Sequence, residues 1–208
     1  MQLIIGDKNY SSWSLRPWLL IKYFDLVFEE VNIPLYSPES PTLIKQHCPV
    51  QKVPVLNDKN LTIWDSLAIC EYINDIYLNG KAYPNDIKQR FLAKSLVAEM
   101  HSSFINIRTQ MSMDIRANNK EYNKNCIELT REIERIDTIF ANAKGEFLCG
   151  DFCIVDCFFA PIVFRFRTFN VKLSDKSQQY QKRLLTLPAM QQWEYEALKE
   201  EVIFSKLE

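Results

Sequence analysis

The sequence has 208 residues, 47% of them hydrophobic and 25% charged, with a net charge of −1. That balance excludes a disordered polymer and gives no basic footprint for nucleic acid or an anionic membrane surface. No apolar run approaches the roughly 18 residues of a membrane span. The length suits one large or two small domains. The N-terminus lacks a basic segment followed by a long apolar stretch, so no secretory leader is expected. The six dispersed cysteines therefore read as reduced thiols of a cytoplasmic protein.

In chain order, Gln2 to Ile5 is a short apolar strand, and Leu15, Trp18, Leu19 and Tyr23 fall on one helix face. The turn between them carries Ser11 and Ser12. Seryl oxygens there can cap the first helical N–H groups. The same hydroxyls can instead donate to an anion, such as a thiolate, held at the positive helix end. Val27 to Ile33 is rich in β-formers and predicts a second strand, parallel to the first through a right-handed crossover. Thr42 to His47 allows a short helix. Val53 to Leu56 and Leu61 to Trp64 flank a polar turn and predict a hairpin. Asp65-Ser66 then starts a helix marked by Ile69, Tyr72, Ile73 and Ile76. This pair reads either as a cap or as a receptor, Ser66 for a ligand carboxylate and Asp65 for an ammonium. On local sequence alone the Val53-Pro54 bond is expected to be trans, because only about 5% of X-Pro bonds are cis.

Residues 1–80 thus predict an α/β domain of order β-α-β-α-β-β-α, residues 81–86 a linker, and residues 87–208 an all-α domain. Leu92, Leu96, Met100, Phe104, Ile107, Met111 and Ile115 predict one long helix. Cys126 to Phe140 predicts a second, ended by Lys144-Gly145. Ile154 to Phe169 predicts a buried central helix bent at Pro161. Ser174 to Leu185 and Ala189 to Glu200 complete the helical half. Cys149, Cys153 and Cys157 are spaced by four, but buried thiols usually act as small hydrophobes, and no metal site is expected. His47 and His101 lack partners at catalytic or ligand spacing and read as solvated or structural. No Cys-x-x-Cys stands at the first turn, where disulfide exchange would need it.

Taken together, Ser11-Ser12, Val53-Pro54 and Asp65-Ser66, followed by the helical half, resemble a cytosolic glutathione S-transferase over essentially the whole chain. The run Ser11-Ser12-Trp13-Ser14-Leu15-Arg16 is similar to the zeta-class Ser-Ser-Cys-x-Trp-Arg signature. It is closer still to a bacterial group carrying Ser-Ser-Trp-Ser-Leu-Arg-Pro-Trp. The resemblance implies a thioredoxin-like first domain, a cis bond at Pro54, glutathione as co-substrate, a small electrophile as the second substrate, and a homodimer in the cytoplasm. It implies Ser11 as the hydroxyl that stabilises the glutathione thiolate, with Ser12 the second choice and Arg16 structural. It places Val53, Pro54, Asp65 and Ser66 on glutathione, with Lys45, Gln51 and Lys52 as candidates for its glycyl carboxylate. It places Trp13, Phe104, Arg108 and Met111 at the electrophile site, although Phe104 and Met111 read equally as core. Phe147 to Asp156 resembles the family's capping box for its core helix, with Cys153 where the family has Ser or Thr. Asp156 is expected to bond back to the Cys153 N–H, a contact worth about 1–2 kcal/mol. A zeta-like isomerase acting on maleylacetoacetate-type diacids, and a non-catalytic transferase-fold module, are the two alternatives.

Overall fold

The computed structural model describes residues 1–201; residues 202–208, the end of the expected helical domain, lie outside the described part. The first unit contains β1 (Gln2–Gly6), α1 (Ser12–Tyr23), β2 (Glu29–Ile33), α2 (Ser40–His47), β3 (Val55–Asp58), β4 (Leu61–Trp64) and α3 (Ser66–Ile76). This is the expected β-α-β-α-β-β-α order of a thioredoxin-like domain. The four strands lie in the order β2-β1-β3-β4. β1 and β2 run parallel, while β3 is antiparallel to both β1 and β4. Alternation along β1 divides the core by face. Leu3 and Ile5 pack with α1 and α3, while Ile4 packs with Ile33, Ile44, Cys48 and Val55 toward α2.

The second unit is helical: α4 (Ile87–Ser102), α5 (Ile105–Gln110), α6 (Ile127–Ala141), α7 (Ile154–Thr168), α8 (Asp175–Leu185) and α9 (Pro188–Lys199). The expected long helix over 92–115 is instead two. Ser103 is extended and Phe104 adopts a left-handed φ of 61°, which breaks the hydrogen-bond ladder. The apolar period continued through the break because Met100, Phe104, Ile107 and Met111 all reach the same core. Lys144-Gly145 does not end α6; the helix stops at Ala141 with Asn142 as its cap. Gly145 serves a different need: a Cβ there would stand 2.9 Å from the Gly150 Cα and carbonyl oxygen.

α7 is the pillar of the helical half, with nearly every side chain buried. It packs against α1 of the first unit and α4 of the second. Its start is fixed by Asp156, which accepts from the Cys153 N–H at 2.9 Å as expected. Asp156 also accepts from the Leu148 N–H at 3.1 Å and the Tyr180 hydroxyl at 3.0 Å, two contacts the sequence did not announce. The Ile154 N–H donates to the Ala82 carbonyl at 2.9 Å, joining this helix start to the connection between the units.

The β1–α1 turn is held from the far side by α9. The Trp193 indole donates to the Lys8 carbonyl at 2.9 Å. The Lys8 ammonium, 5% exposed, pairs with Glu30 and Glu196 and lies over the rings of Trp18 and Trp193. Glu200 accepts from the Lys8 and Asn9 N–H groups.

Candidate functional site

Three separate stretches meet at one concavity. Trp13 comes from the first turn of α1, residues 51–54 from the approach to β3, and residues 64–66 from the β4–α3 junction. They line a groove of about 730 Å³. Of the residues expected on glutathione, Gln51, Lys52, Val53, Pro54, Asp65 and Ser66 all line it, and Trp13 joins them. The Val53-Pro54 bond is cis, as the resemblance implied and against the local expectation. Gln51 and Asp65 hold positive φ angles of 52° and 73° without being glycine. Such conformations cost on the order of 1–3 kcal/mol and concentrate at binding sites.

Asp65 does act as a cap, as its sequence position suggested: Oδ1 accepts from the Leu67 and Ala68 N–H groups. Its other oxygen, Oδ2, faces His101 Nε2 at 3.4 Å. Ser66 is buried at the first position of α3, and its hydroxyl accepts from Arg16 at 3.3 Å. Anionic groups are favoured at such a helix start by both its free N–H groups and its dipole.

Beneath the groove lie three guanidiniums. Arg16 is sandwiched between the Trp13 ring at 4.1 Å and the Phe158 ring at 4.5 Å, with its Nε buried and without a hydrogen-bond partner among the described residues. Arg108 covers Trp13 at 4.7 Å and donates to the Ser103 and Met100 carbonyls. Arg165 donates to the Met111 carbonyl at 2.5 Å and to the Ser12 hydroxyl at 3.1 Å. Burial, then the like charges of Arg108 and Arg165, pushes Arg16 down to about 9. Burial and then Arg108 push Arg165 down to about 10. The site is therefore a place where positive charge is costly and an anion is welcome.

The two serines behave differently from simple caps. Ser11 occupies the N-cap position of α1, yet its side chain makes no cap bond. It donates to the Ser14 hydroxyl at 2.6 Å, and Ser14 accepts in turn from the Gly6 N–H at 3.2 Å. Ser12 lies inside the helix. Both are nearly buried and neither lines the groove. Lys45 also stands outside it, exposed on α2. Phe104 and Met111 are buried in the core rather than presented to the groove. His101, expected to be solvated or structural, is instead a neighbour of the site. Its ring meets Trp13 edge-on at 5.4 Å and its Nδ1 is buried without a partner among the described residues. Burial lowers its pKa against the pull of Asp65. Neither His101 nor Arg165 had a local motif to reveal it; each arrives from a helix of the second unit.

A parallel-antiparallel four-stranded sheet with a cis-proline groove, backed by a helical half, defines a glutathione-transferase fold. Residues 1–75 match the family model for the N-terminal domain of glutathione S-transferases. Across the chain, one similar protein is a Drosophila melanogaster protein described as a probable maleylacetoacetate isomerase 2. It is 24% identical over 183 residues, which is 79% of this chain and 81% of the relative. Among solved structures, a glutathione transferase homolog from Burkholderia with bound glutathione superimposes with a TM-score of 0.73 at 21% identity. The superposition covers 96% of this chain and 98% of that one. A maleyl pyruvate isomerase described as a bacterial zeta-class transferase gives 0.72 at 19% identity, over 93% and 96% of the two chains.

Proposed function

We propose that the protein is a glutathione transferase that holds glutathione along the groove and activates its thiol at the β1–α1 turn. The observation that carries this reading is the convergence of Val53-Pro54, Asp65-Ser66 and Trp13 on one groove at a helix N-terminus. The Val53 backbone pairs with the peptide-like middle of glutathione, a short form of strand addition. Ser66 and the start of α3 take its γ-glutamyl carboxylate, and Asp65 takes its ammonium. Gln51 and Lys52 face the glycyl end. Lys45 is assigned no contact.

Ser11 donates to the sulfur in this reading. Two hydroxyls can hydrogen-bond in either direction. When Ser14 donates to Ser11, the Ser11 proton is released toward a ligand while the Gly6 N–H still satisfies Ser14. Ser12, engaged by Arg165, remains the second candidate. An unperturbed thiol titrates near pH 8.5, and one charge-assisted hydrogen bond plus a helix start supplies roughly two units of lowering. The thiolate then predominates at neutral pH and attacks an electrophile held beside it. A cytoplasmic homodimer is part of the same proposal.

A second reading is favoured by the three guanidiniums beneath Trp13. They would suit an electrophile carrying carboxylates, as in glutathione-dependent cis–trans isomerisation of a maleylacetoacetate-type diacid. Some relatives carry isomerase names, and their substrate class fits this charge.

Calorimetric titration of glutathione into the wild type, Ser11→Ala and Ser12→Ala, with thiolate absorbance followed against pH, tests the proposal. Binding by all three with thiolate formation lost only in Ser11→Ala is the expected result. No glutathione binding by the wild type would refute it and favour a non-catalytic transferase-fold module.

A further inference from the structure

Arg165 belongs to α7 of the helical half, yet its guanidinium reaches the turn that carries the two serines. The residue is 6% exposed, and among the described residues it forms no ion pair. One Nη donates to the Met111 carbonyl at the end of α5, and the other donates to the Ser12 hydroxyl at the start of α1. Burial, then the like charge of Arg108, lowers it to about 10, so it remains a cation at neutral pH. A buried cation without a counter-charge is costly, because no anion replaces the water it has lost. A bound anion near Ser12 would offset that cost.

A guanidinium has donors and no acceptor. The Ser12 oxygen therefore accepts from Arg165, and the seryl proton stays available for donation. Among the described residues that proton meets no acceptor. Ser11 differs, because its proton is drawn to Ser14 and has to be released before it can reach a ligand. Ser12 stands between Ser11 and Trp13 in the chain, and Trp13 lines the groove. The same arrangement recurs at the start of α3. There the buried Arg16, also without an ion pair among the described residues, donates to the hydroxyl of Ser66, which takes a carboxylate in the reading above.

We propose that Arg165 is a positioning residue for thiol activation, holding Ser12 as a second donor to the glutathione sulfur and supplying the thiolate's counter-charge through that hydroxyl. The inference rests on the reading that the thiol is activated at the β1–α1 turn. The thiol releases its proton to solvent, the thiolate accepts from Ser12, and the cation behind Ser12 gains its anion. A hydroxyl whose oxygen accepts a charge-assisted bond is polarised into a stronger donor.

Thiolate absorbance is followed against pH for the full chain saturated with glutathione. The wild type is compared with Arg165→Gln, Arg165→Lys, Ser12→Ala and the double variant Ser12→Ala/Arg165→Gln. Arg165→Gln is expected to raise the titration midpoint of the bound thiol by about one pH unit, roughly a tenfold loss of thiolate below both midpoints. Ser12→Ala is expected to match it, and the double variant to go no further, because one residue acts through the other. Arg165→Lys keeps the charge without the fork and is expected to fall between the wild type and Arg165→Gln. A purely structural role would change stability and leave these midpoints in place. Shifts that add in the double variant would overturn the proposal, since Arg165 would then act without Ser12. An unchanged midpoint in Ser12→Ala would overturn it too, and that small substitution decides the matter even where Arg165→Gln does not fold. An unchanged midpoint in Arg165→Gln with a raised KM for a cis-diacid would assign the cation to the electrophile instead. No glutathione bound by the wild type removes the underlying reading as well, whereas a lowered wild-type midpoint that no variant moves overturns this inference alone.

Discussion

Removing Asp156 tests the account of how the helical half is held. The carboxylate is fully buried and accepts from two backbone N–H groups and one phenol, at 3.1, 2.9 and 3.0 Å. Asp156→Ala leaves all three donors without their acceptor. Each such loss costs about 1–3 kcal/mol. Part is returned because a buried carboxylate is itself unfavourable: burial raises Asp156 to about 6 against the three hydrogen bonds. A shift of about two units corresponds to about 3 kcal/mol of that penalty at neutral pH. Three such losses total about 3–9 kcal/mol, so with about 3 kcal/mol returned the net cost of Asp156→Ala centres on about 3 kcal/mol at pH 7, larger than the 1–2 kcal/mol of the single cap contact read from sequence. The sign of the pH dependence follows. The folded state holds the proton more tightly than the unfolded chain does. This contribution is therefore greatest below about pH 4 and declines as pH rises to about 6. Urea unfolding of the wild type, Asp156→Ala and Asp156→Asn at several pH values measures both effects. Asp156→Asn removes the titrating group, so the wild type is expected to lose stability relative to it between about pH 4 and 6. A cost below about 1 kcal/mol for Asp156→Ala, or a wild-type difference that grows more favourable with pH in that window, refutes the reasoning.

Other substitutions bear on separate parts of the molecule. Lys8→Met leaves Glu30 and Glu196 facing each other without their cation. A loss of about 2–3 kcal/mol in chemical denaturation is expected, discounted because both carboxylates are partly exposed. Gly145→Ala drives a methyl into the Gly150 backbone at 2.9 Å, and a thermal melt should show about 1–3 kcal/mol of destabilisation. If the electrophile is acidic, Arg108→Gln should raise KM for a cis-diacid about tenfold while leaving glutathione affinity unchanged, as steady-state kinetics and calorimetry would show. An equal weakening of glutathione binding would place Arg108 on the thiol substrate instead.

Much of the fold was legible because burial imposes period on sequence. The alternation of Leu3, Ile4 and Ile5 between two cores, and the all-apolar course of α7, are direct records of what each residue faces. The same logic misread the α4–α5 break. Apolar spacing records which side chains reach the core, and it does not record whether the backbone between them remains helical. Phe104 reaches the core from a left-handed residue. The groove residues were legible as short motifs because each sits at the end of one element. Arg165 was not, since it meets Ser12 from 153 positions away. His101 escaped for the same reason: its partners Trp13 and Asp65 belong to the other unit.

The clasp between α9 and the β1–α1 turn changes what counts as a separable part. The thioredoxin-like unit has its own sheet and its own order of elements, yet the turn carrying both candidate serines is closed by Trp193, Glu196 and Glu200. Excising the first unit would leave Lys8 with one carboxylate instead of two and uncover the indole of Trp18. The piece that keeps the candidate site fastened is therefore longer than the minimal folding topology. Evolutionary exchange of the helical half would have to bring its own fastening for this turn, or leave the serines on a loop free to drift.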